Sequence, residues 1–454
     1  MSIESNAQFD VINWFRAASP YIKNHRGKTL VIALSGSSLR SDMLPTLSHD
    51  LALLSHLGLR LVVCFGLRAQ VDDQLAQTKT RSHIVDGRRV TDATSLAAIV
   101  SSAGVARNDL EARLSMGLPN TPMAGARLAV SSGNYVIAQP FGVHAGIDFL
   151  HTGAVREIYH EAINALLEAG HLVVLPPLGY SLTGEVFNIT VSEVATACAI
   201  ALKADKLIYL VDELPKDQHG EQIRQASVNR VQRWYDAEST AAAAADTDQT
   251  VAINTELEQI LPDAIAACAQ GVERVHLLEN ANPDALLSEL FTRDGSGTMI
   301  TAERWEHIRT ASIADVGGII QLITPLQASG TLVTRSREEL ELDIEHFVVS
   351  ERDGMIVACA ALYLDPETSS AEISCIATHP AYRGEGRADQ LLAHLEQQAK
   401  EAQCTVTRIL STRTGHWFVA RGYVETRPDE LPSTRLASYN HQRNSKIYCK
   451  DLLN

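Results

Sequence analysis

The run ISCIATHPAYRGEGRADQLLAHLEQQAK, from Ile373 to Lys400, decides how the second half of the chain is read. Its first residues form an apolar strand that ends at His379-Pro380, since proline has no N–H to give a ladder. A turn follows that carries Arg383, Gly384, Gly386 and Arg387, and then Leu391, Leu392 and Leu395 recur on one face of a helix. A glycine-bearing turn that opens a helix presents backbone N–H groups lacking helical partners, and the helix dipole adds partial positive charge. Glycine lets a ligand approach the backbone, while the two arginines add formal charge. The physical product is a pyrophosphate cradle. A Walker-type nucleotide loop would need Gly-Lys-Ser/Thr, which is not here.

Working outward, Glu345–Ser350, Met355–Leu364 and Ala371–Thr378 read as successive strands, with Asp353-Gly354 as a hairpin turn. Helices are expected at Ala314–Leu322 and Ser336–Asp343, a further strand at Thr405–Ser411, and a short helix and turn over Ser411–Tyr423. This is an α+β unit. The Gly-rich stretch Thr292–Thr301 separates it from a region of different texture, which places two domains at 1–297 and 298–454. In the first, strands (Thr29–Leu34, Leu59–Phe65, His171–Leu175, Lys206–Val211, Val272–Leu278) alternate with helices (Met43–Leu57, Ile158–Ala169, Val191–Lys203, Glu256–Gln270, Asp284–Phe291). That alternation means β-α-β units around a mainly parallel sheet. An amphipathic helix is expected over residues 8–24 with a turn at Pro20, and a surface excursion over 217–254, including Ala241–Ala245. The fold class is α/β in front and α+β behind.

Lys+Arg 39 against Asp+Glu 54 gives a net charge of −15, and no basic run offsets it. Nucleic acid and anionic membranes are therefore excluded as partners, and an anionic substrate must be met by local arginines. The seven cysteines are scattered without a C-x-x-C, as buried thiols of a reducing compartment are. No stretch reaches the roughly 18 apolar residues that span a bilayer, and the first residues lack a signal-peptide layout. The expected location is the cytoplasm.

The pattern Arg383-x-x-Gly386-x-Ala388 resembles the acetyl-CoA loop of the GCN5-related N-acetyltransferase family. The resemblance implies acetyl-CoA as co-substrate and no metal. It also implies a strand that splays before the loop, so that Cys375, Ile376, Ala377 and Thr378 hold the pantetheine chain, with Arg383, Gly384, Gly386, Arg387 and Ala388 at the pyrophosphate. An amine must lose a proton before it attacks a thioester, and Glu372 on the same strand is the candidate base; an exposed strand carboxylate is the other reading. No tyrosine can be assigned as general acid.

Leu332–Glu341, Val357–Leu362, Ser411–Tyr423 and Leu431–Leu452 resemble the bacterial N-acetylglutamate synthase family, nearly end to end. That resemblance implies Arg335, Arg443 and Ser445 at the carboxylates of L-glutamate, the kind of ligand that planar guanidinium forks suit. Arg26–Leu39, Leu61–Gly66 and Phe187–Glu213 resemble the amino-acid kinase fold of acetylglutamate kinase. Yet Ala33 and Ser192 stand where that kinase carries Lys and Asp, so phosphoryl transfer lacks its cations. Arg274–Ile300 resembles the arginine-regulated members, implying His276, Glu289 and Gly295 as contacts for L-arginine, with Tyr21 as lid. The expected activity is glutamate N-acetylation, the first step of arginine biosynthesis, under arginine feedback, in a homo-oligomer such as a hexamer. The alternatives are an acetyltransferase of another amino acid, a non-catalytic arginine sensor and, last, a kinase.

Overall fold

Thr29–Leu34 and Lys206–Val211 are buried at every position, which a strand achieves only where both faces of its sheet are covered. Their side chains divide with period two. Val31, Ala33, Leu207 and Tyr209 enter one core with Val62 and Cys64; Leu30, Ile32, Leu34, Ile208 and Leu210 enter the other with Leu61, Val63 and Phe65. The computed structural model describes residues 2–40, 42, 44–80, 82–116, 127–239, 251, 253–302, 307–352, 355–383, 386–431, 435–436, 439–440, 443 and 445–452. The chain forms two compact units, Met1–Arg304 and Trp305–Asn454.

The first unit is built on an eight-stranded sheet in the order Gln225–Ser227, Thr298–Thr301, Arg274–Glu279, Lys206–Val211, Thr29–Leu34, Arg60–Phe65, Leu172–Leu175, Val130–Ser131. Every adjacent pair is parallel except Arg274–Glu279 with Thr298–Thr301. A second sheet of four short strands contains Val136–Pro140 and Gly153–Ile158, which the alternation pattern did not reveal. Because Thr298–Thr301 pairs within the first sheet, the units divide at Arg304/Trp305 rather than at 297/298.

Two further expectations change. The helix Ser2–His25 runs through Pro20 without a turn, its last part held by packing: Ala18 is buried, and Tyr21 and Ile22 lie against the core. The supposed surface excursion contains the strand Gln225–Ser227 and the helix Val228–Ser239, which buries Val231 and Trp234. Val228 packs on the same core, so three apolar side chains recur at helical spacing, a period too short to stand out among the polar residues around it. Ala241–Ala245 lies outside the described residues.

The second unit has seven strands in the order His307–Thr310, Phe347–Arg352, Met355–Asp365, Ser370–Thr378, Val406–Ser411, Lys446–Asp451, Val424–Thr426. Arg387–Glu401 covers one face through Leu391, Leu392 and Leu395. Val316–Ala328 and Arg337–Leu342 cover the other through Ile319, Ile323 and Leu340. Asp353-Gly354 lies outside the described residues. The architecture is thus a mainly parallel α/β unit followed by a mostly antiparallel sheet flanked by helices. Among the described residues no helix is long and apolar enough to cross a membrane, and no group of acidic, His or Cys side chains could hold a metal ion. The cysteines are free thiols, all buried but the half-buried Cys449.

Candidate functional site

Ser370–Thr378 is paired differently on its two sides. Its antiparallel ladder with Met355–Asp365 continues to Thr378, whereas its parallel ladder with Val406–Ser411 covers only Ser370–Ile373. Beyond Ile373 one edge of the strand has left its neighbour. At the same place Cys359 pairs with Ala377 and Ala361 with Ser374, so Cys375 and Ile376 bulge opposite Ala360 alone. Cys375 takes a φ of 55°, in the left-handed region that costs a side-chain-bearing residue about 1 kcal/mol or more. Bulge and splay together leave the backbone of residues 375–378 without a strand partner on that edge.

The chain then runs through a short turn, Tyr382 N–H donating to the His379 carbonyl at 2.9 Å, into the helix Arg387–Glu401. Gly386 is the N-cap at φ 76°, no side chain caps this end, and a Cβ on Gly386 would meet nothing within 4 Å. The first helical bond is Gln390 N–H to Gly386, so the N–H groups of Ala388 and Asp389 precede it. Asp389, the acidic residue of this first turn, is paired with Arg421. The geometry fits the pyrophosphate of acetyl-CoA. The two arginines differ, however. Arg383 is exposed, its Nε 3.4 Å from the Thr378 carbonyl, while Arg387 is buried, donates to the Tyr382 carbonyl at 2.9 Å and stacks on that ring. Arg387 therefore shapes the turn from within. Gly384 lies outside the described residues.

Glu372 sits where the two ladders of its strand overlap, opposite Tyr363. Its carboxylate is held in a two-point pair by Arg435, with Nε at 2.5 Å and Nη2 at 3.0 Å. Tyr363 accepts a hydrogen bond from Arg335 at 2.6 Å and donates to Asp343 at 3.0 Å. Burial pushes its phenol up to about 12, against the pull of Arg335. Arg335, Tyr363, Glu372 and Arg435 thus form one contiguous polar face. Arg443 donates to the Thr331 carbonyl at 2.6 Å, and buried Ser445 offers its own carbonyl to Tyr439. Tyr363 and Arg435 escaped the sequence reading. Nothing local marks them, since one is a cross-strand neighbour and the other lies 63 residues downstream.

In the first unit, Glu289 on the helix Ala285–Phe291 joins distant pieces. One oxygen accepts from His276 Nδ1 at 2.6 Å, and the other from the N–H groups of Ser296 and Gly297 at 2.7 and 2.9 Å. Burial opposes ionisation of Glu289, yet the hydrogen bond from His276 and those backbone donors carry it down to about 2. Burial and the charge of Lys206 lower His276 to about 4, so a neutral imidazole donates to a carboxylate. Gly295, at φ 62°, passes so close that a Cβ would overlap the Glu289 carboxylate. Tyr21 shares a helix face with His25, whose Nε2 donates to the Leu290 carbonyl at 2.8 Å. The structure therefore gathers His276, Glu289 and Gly295, with the helix carrying Tyr21 pinned beside them.

A cavity of about 190 Å³ opens at the ends of the central strands, lined by Ala33, Gly36, Gly66, Arg68, Arg88 and Ser192 among others. Its cations are committed: Arg88 pairs with Glu193 at 2.7 Å and Arg68 donates to the Gly87 carbonyl at 2.6 Å. A phosphoryl group would find no lysine among the residues that line it.

The profile of the amino acid kinase family matches residues 28–279, and that of the acetyltransferase (GNAT) family residues 321–422. The amino-acid acetyltransferase of Pseudomonas fluorescens (strain Pf0-1) is 43% identical over 444 residues, covering 98% of this chain and 100% of its own. That of Pseudomonas syringae pv. syringae is 43% identical over 442 residues, covering 97% and 99%. Among solved structures, the N-acetylglutamate synthase of Neisseria gonorrhoeae complexed with coenzyme A and L-arginine is 36% identical, with a TM-score of 0.82 over 98% of this chain and 99% of that one. Fold and site define an N-acetyltransferase unit carried behind an amino-acid-kinase-type unit. The chain belongs to the amino-acid acetyltransferase family.

Proposed function

We propose that this chain transfers the acetyl group of acetyl-CoA to the α-amine of L-glutamate, giving N-acetyl-L-glutamate and CoA at the entry to arginine biosynthesis, and that L-arginine binds the first unit as feedback effector. The observation that carries the reading is the pair of backbone features at residues 375–378 and 386–389, a splayed, bulged strand leading to an uncapped helix start. One suits an extended pantetheine chain and a polarised thioester carbonyl; the other suits a pyrophosphate. In this reading Cys375, Ile376, Ala377, Gly384, Gly386 and Ala388 contribute backbone and Arg383 charge, while Arg387 holds the turn. Glu372 takes the ammonium proton, and Arg335, Arg443 and Ser445 face the substrate carboxylates.

His276, Glu289 and Gly295, with Tyr21 of the N-terminal helix as lid, are the proposed arginine site: a buried carboxylate beside a glycine loop can pair a guanidinium. The synthase of Neisseria gonorrhoeae has been crystallised with coenzyme A and N-acetyl-glutamate as well as with L-arginine, which supports all three as ligands here. We assign the enzyme to the cytoplasm and to a homo-oligomer such as a hexamer. Exposed Ile12, Trp14 and Phe15 on the N-terminal helix support the latter. The test follows CoA thiol release from acetyl-CoA with a panel of amino acids, with and without arginine. Glutamate should be preferred and arginine should change its rate. Release with no amino acid of the panel would leave the sensor reading in its place.

A further inference from the structure

In the state the structure shows, Arg435 engages both oxygens of Glu372 and so holds a cation where a substrate ammonium would have to pair. A carboxylate in a two-point guanidinium pair turns one lone pair of each oxygen to the guanidinium, so a second cation cannot take the same two-point position. Yet the pair is not sealed: the side chains are 20% and 34% exposed, so a ligand can reach them. Burial and the positive charge of nearby Arg335 work against the Arg435 charge, which the hydrogen bond to Glu372 chiefly sustains. The face thus holds two guanidinium groups at close quarters, and an incoming anion relieves them. A second observation points the same way. Ser374, two residues along the same strand face from Glu372, has a buried hydroxyl oxygen with no hydrogen-bond partner among the described residues, and a buried polar atom left in that condition has room for a ligand or a water.

Resting on the glutamate-acetylation reading above, we propose that Arg435 is a substrate-released latch: the α-carboxylate of the acceptor takes the Arg435 fork and frees Glu372 to deprotonate the amine on the same carbon. The exchange conserves charge pairing. Before it there is one ion pair and a zwitterionic amino acid; after it, α-carboxylate pairs with Arg435 and ammonium with Glu372. One proton then passes from the ammonium to a Glu372 oxygen, leaving a neutral amine with a lone pair for the thioester. The α-carboxylate is the group that fits, because the base must meet the amine and Arg435 already sits on the base. The remote carboxylate is left to the other cations. Selectivity follows: an amine without an α-carboxylate binds near a base that stays latched, and it fails in turnover rather than in binding alone.

The test compares L-glutamate with 4-aminobutanoate, which keeps the amine and the remote carboxylate but lacks the α-carboxylate. Steady-state thiol release is measured with the full chain as parent, Arg435→Gln and Arg435→Lys, and acetyl-CoA affinity is followed by calorimetry. The parent should favour glutamate by about 100-fold or more in kcat. In Arg435→Gln the glutamate KM should rise ~30-fold or more, as for loss of one partner of a charged pair, while the kcat ratio between the substrates collapses to within a few-fold. The intrinsic basicity difference of the two amines is common to every variant and cancels. Arg435→Lys keeps a cation and should retain most of the ratio. An unchanged ratio in Arg435→Gln overturns the proposal, as does a glutamate KM within twofold of the parent. Equal loss on both substrates together with weakened acetyl-CoA binding in both variants would make the pair structural, and also overturns it. A parent inactive on glutamate but active on another amino acid would count against the function reading instead.

Discussion

Asp50, on the helix Leu44–His56, is 8% exposed, and burial with the nearby charge of Asp284 pushes its carboxyl up to about 7. Between the ordinary value near 3.8 and about 7 the folded protein holds a proton that the unfolded chain gives up. Stability is therefore present below that window and lost as pH rises through it. Asp50→Asn should stabilise by about 1–2 kcal/mol at pH 8 and by little at pH 4, read as thermal midpoints at both values. An equal shift at the two pH values would mean that desolvation is not the cause. Gly386 is a residue-scale case with the opposite outcome. Its Cβ space is open, so Gly386→Asp should fold at a cost of about 1 kcal/mol for the positive φ, yet lose acetyl-CoA affinity tenfold or more. Unchanged affinity by calorimetry would take this turn out of the site. The glycine was legible in sequence because a backbone requirement is local. The inward turn of Arg387 was not, since only the ring and carbonyl of Tyr382 decide it.

At the scale of elements, the helix Ala285–Phe291 and the loop 295–297 are held to the strand Arg274–Glu279 by one carboxylate. Gly295→Ala would press a methyl into Glu289 at a φ that disfavours it, and Glu289→Ala would remove the acceptor altogether. Both should abolish the response to arginine, while turnover without arginine stays within a few-fold of the parent. A Glu289→Ala enzyme that still responds fully to arginine would refute the assigned site. Acid should lower the stability of the unit that carries this clamp. With His276 lowered to about 4, the unfolded chain binds a proton that the folded state refuses as pH falls from 6.5, and stability drops through that window. Amide exchange at Ser296 and Gly297 should quicken between pH 7 and pH 5 beyond the intrinsic rate change. Most long strands and helices of both units were readable to within a few residues, for their periods are strong. Val136–Pro140 and Gly153–Ile158 of the small second sheet were not, because they mix buried and exposed positions and lack the unbroken apolar run of the central strands.

For the whole molecule, a kinase-type unit and an acetyltransferase unit share one chain, and only the second is expected to be catalytic. The crevice of the first unit keeps a kinase-like shape, with Ala33 and Ser192 in its wall and its arginines tied to Glu193 and to the Gly87 carbonyl. The enzyme should show no ADP release dependent on N-acetylglutamate, and phosphoryl transfer above background would defeat the argument from missing cations. Allosteric control then needs arginine to favour one of two states of the protein, so the arginine and acetyl-transfer sites should be separable by mutation.

The sequence by itself determined the class of each unit and the glycine turn that opens a helix, and it singled out Glu372 and Glu289 as candidates, because these rest on residue type, short-range spacing and resemblance. Only the tertiary structure decided what those two carboxylates touch. Glu289 is clamped by a strand histidine and a loop, and Glu372 is paired with an arginine 63 positions away. Both facts come from sheet register and from the folding back of distant segments. Such contacts are fixed by the packing of whole elements, and no local pattern of residues can specify them.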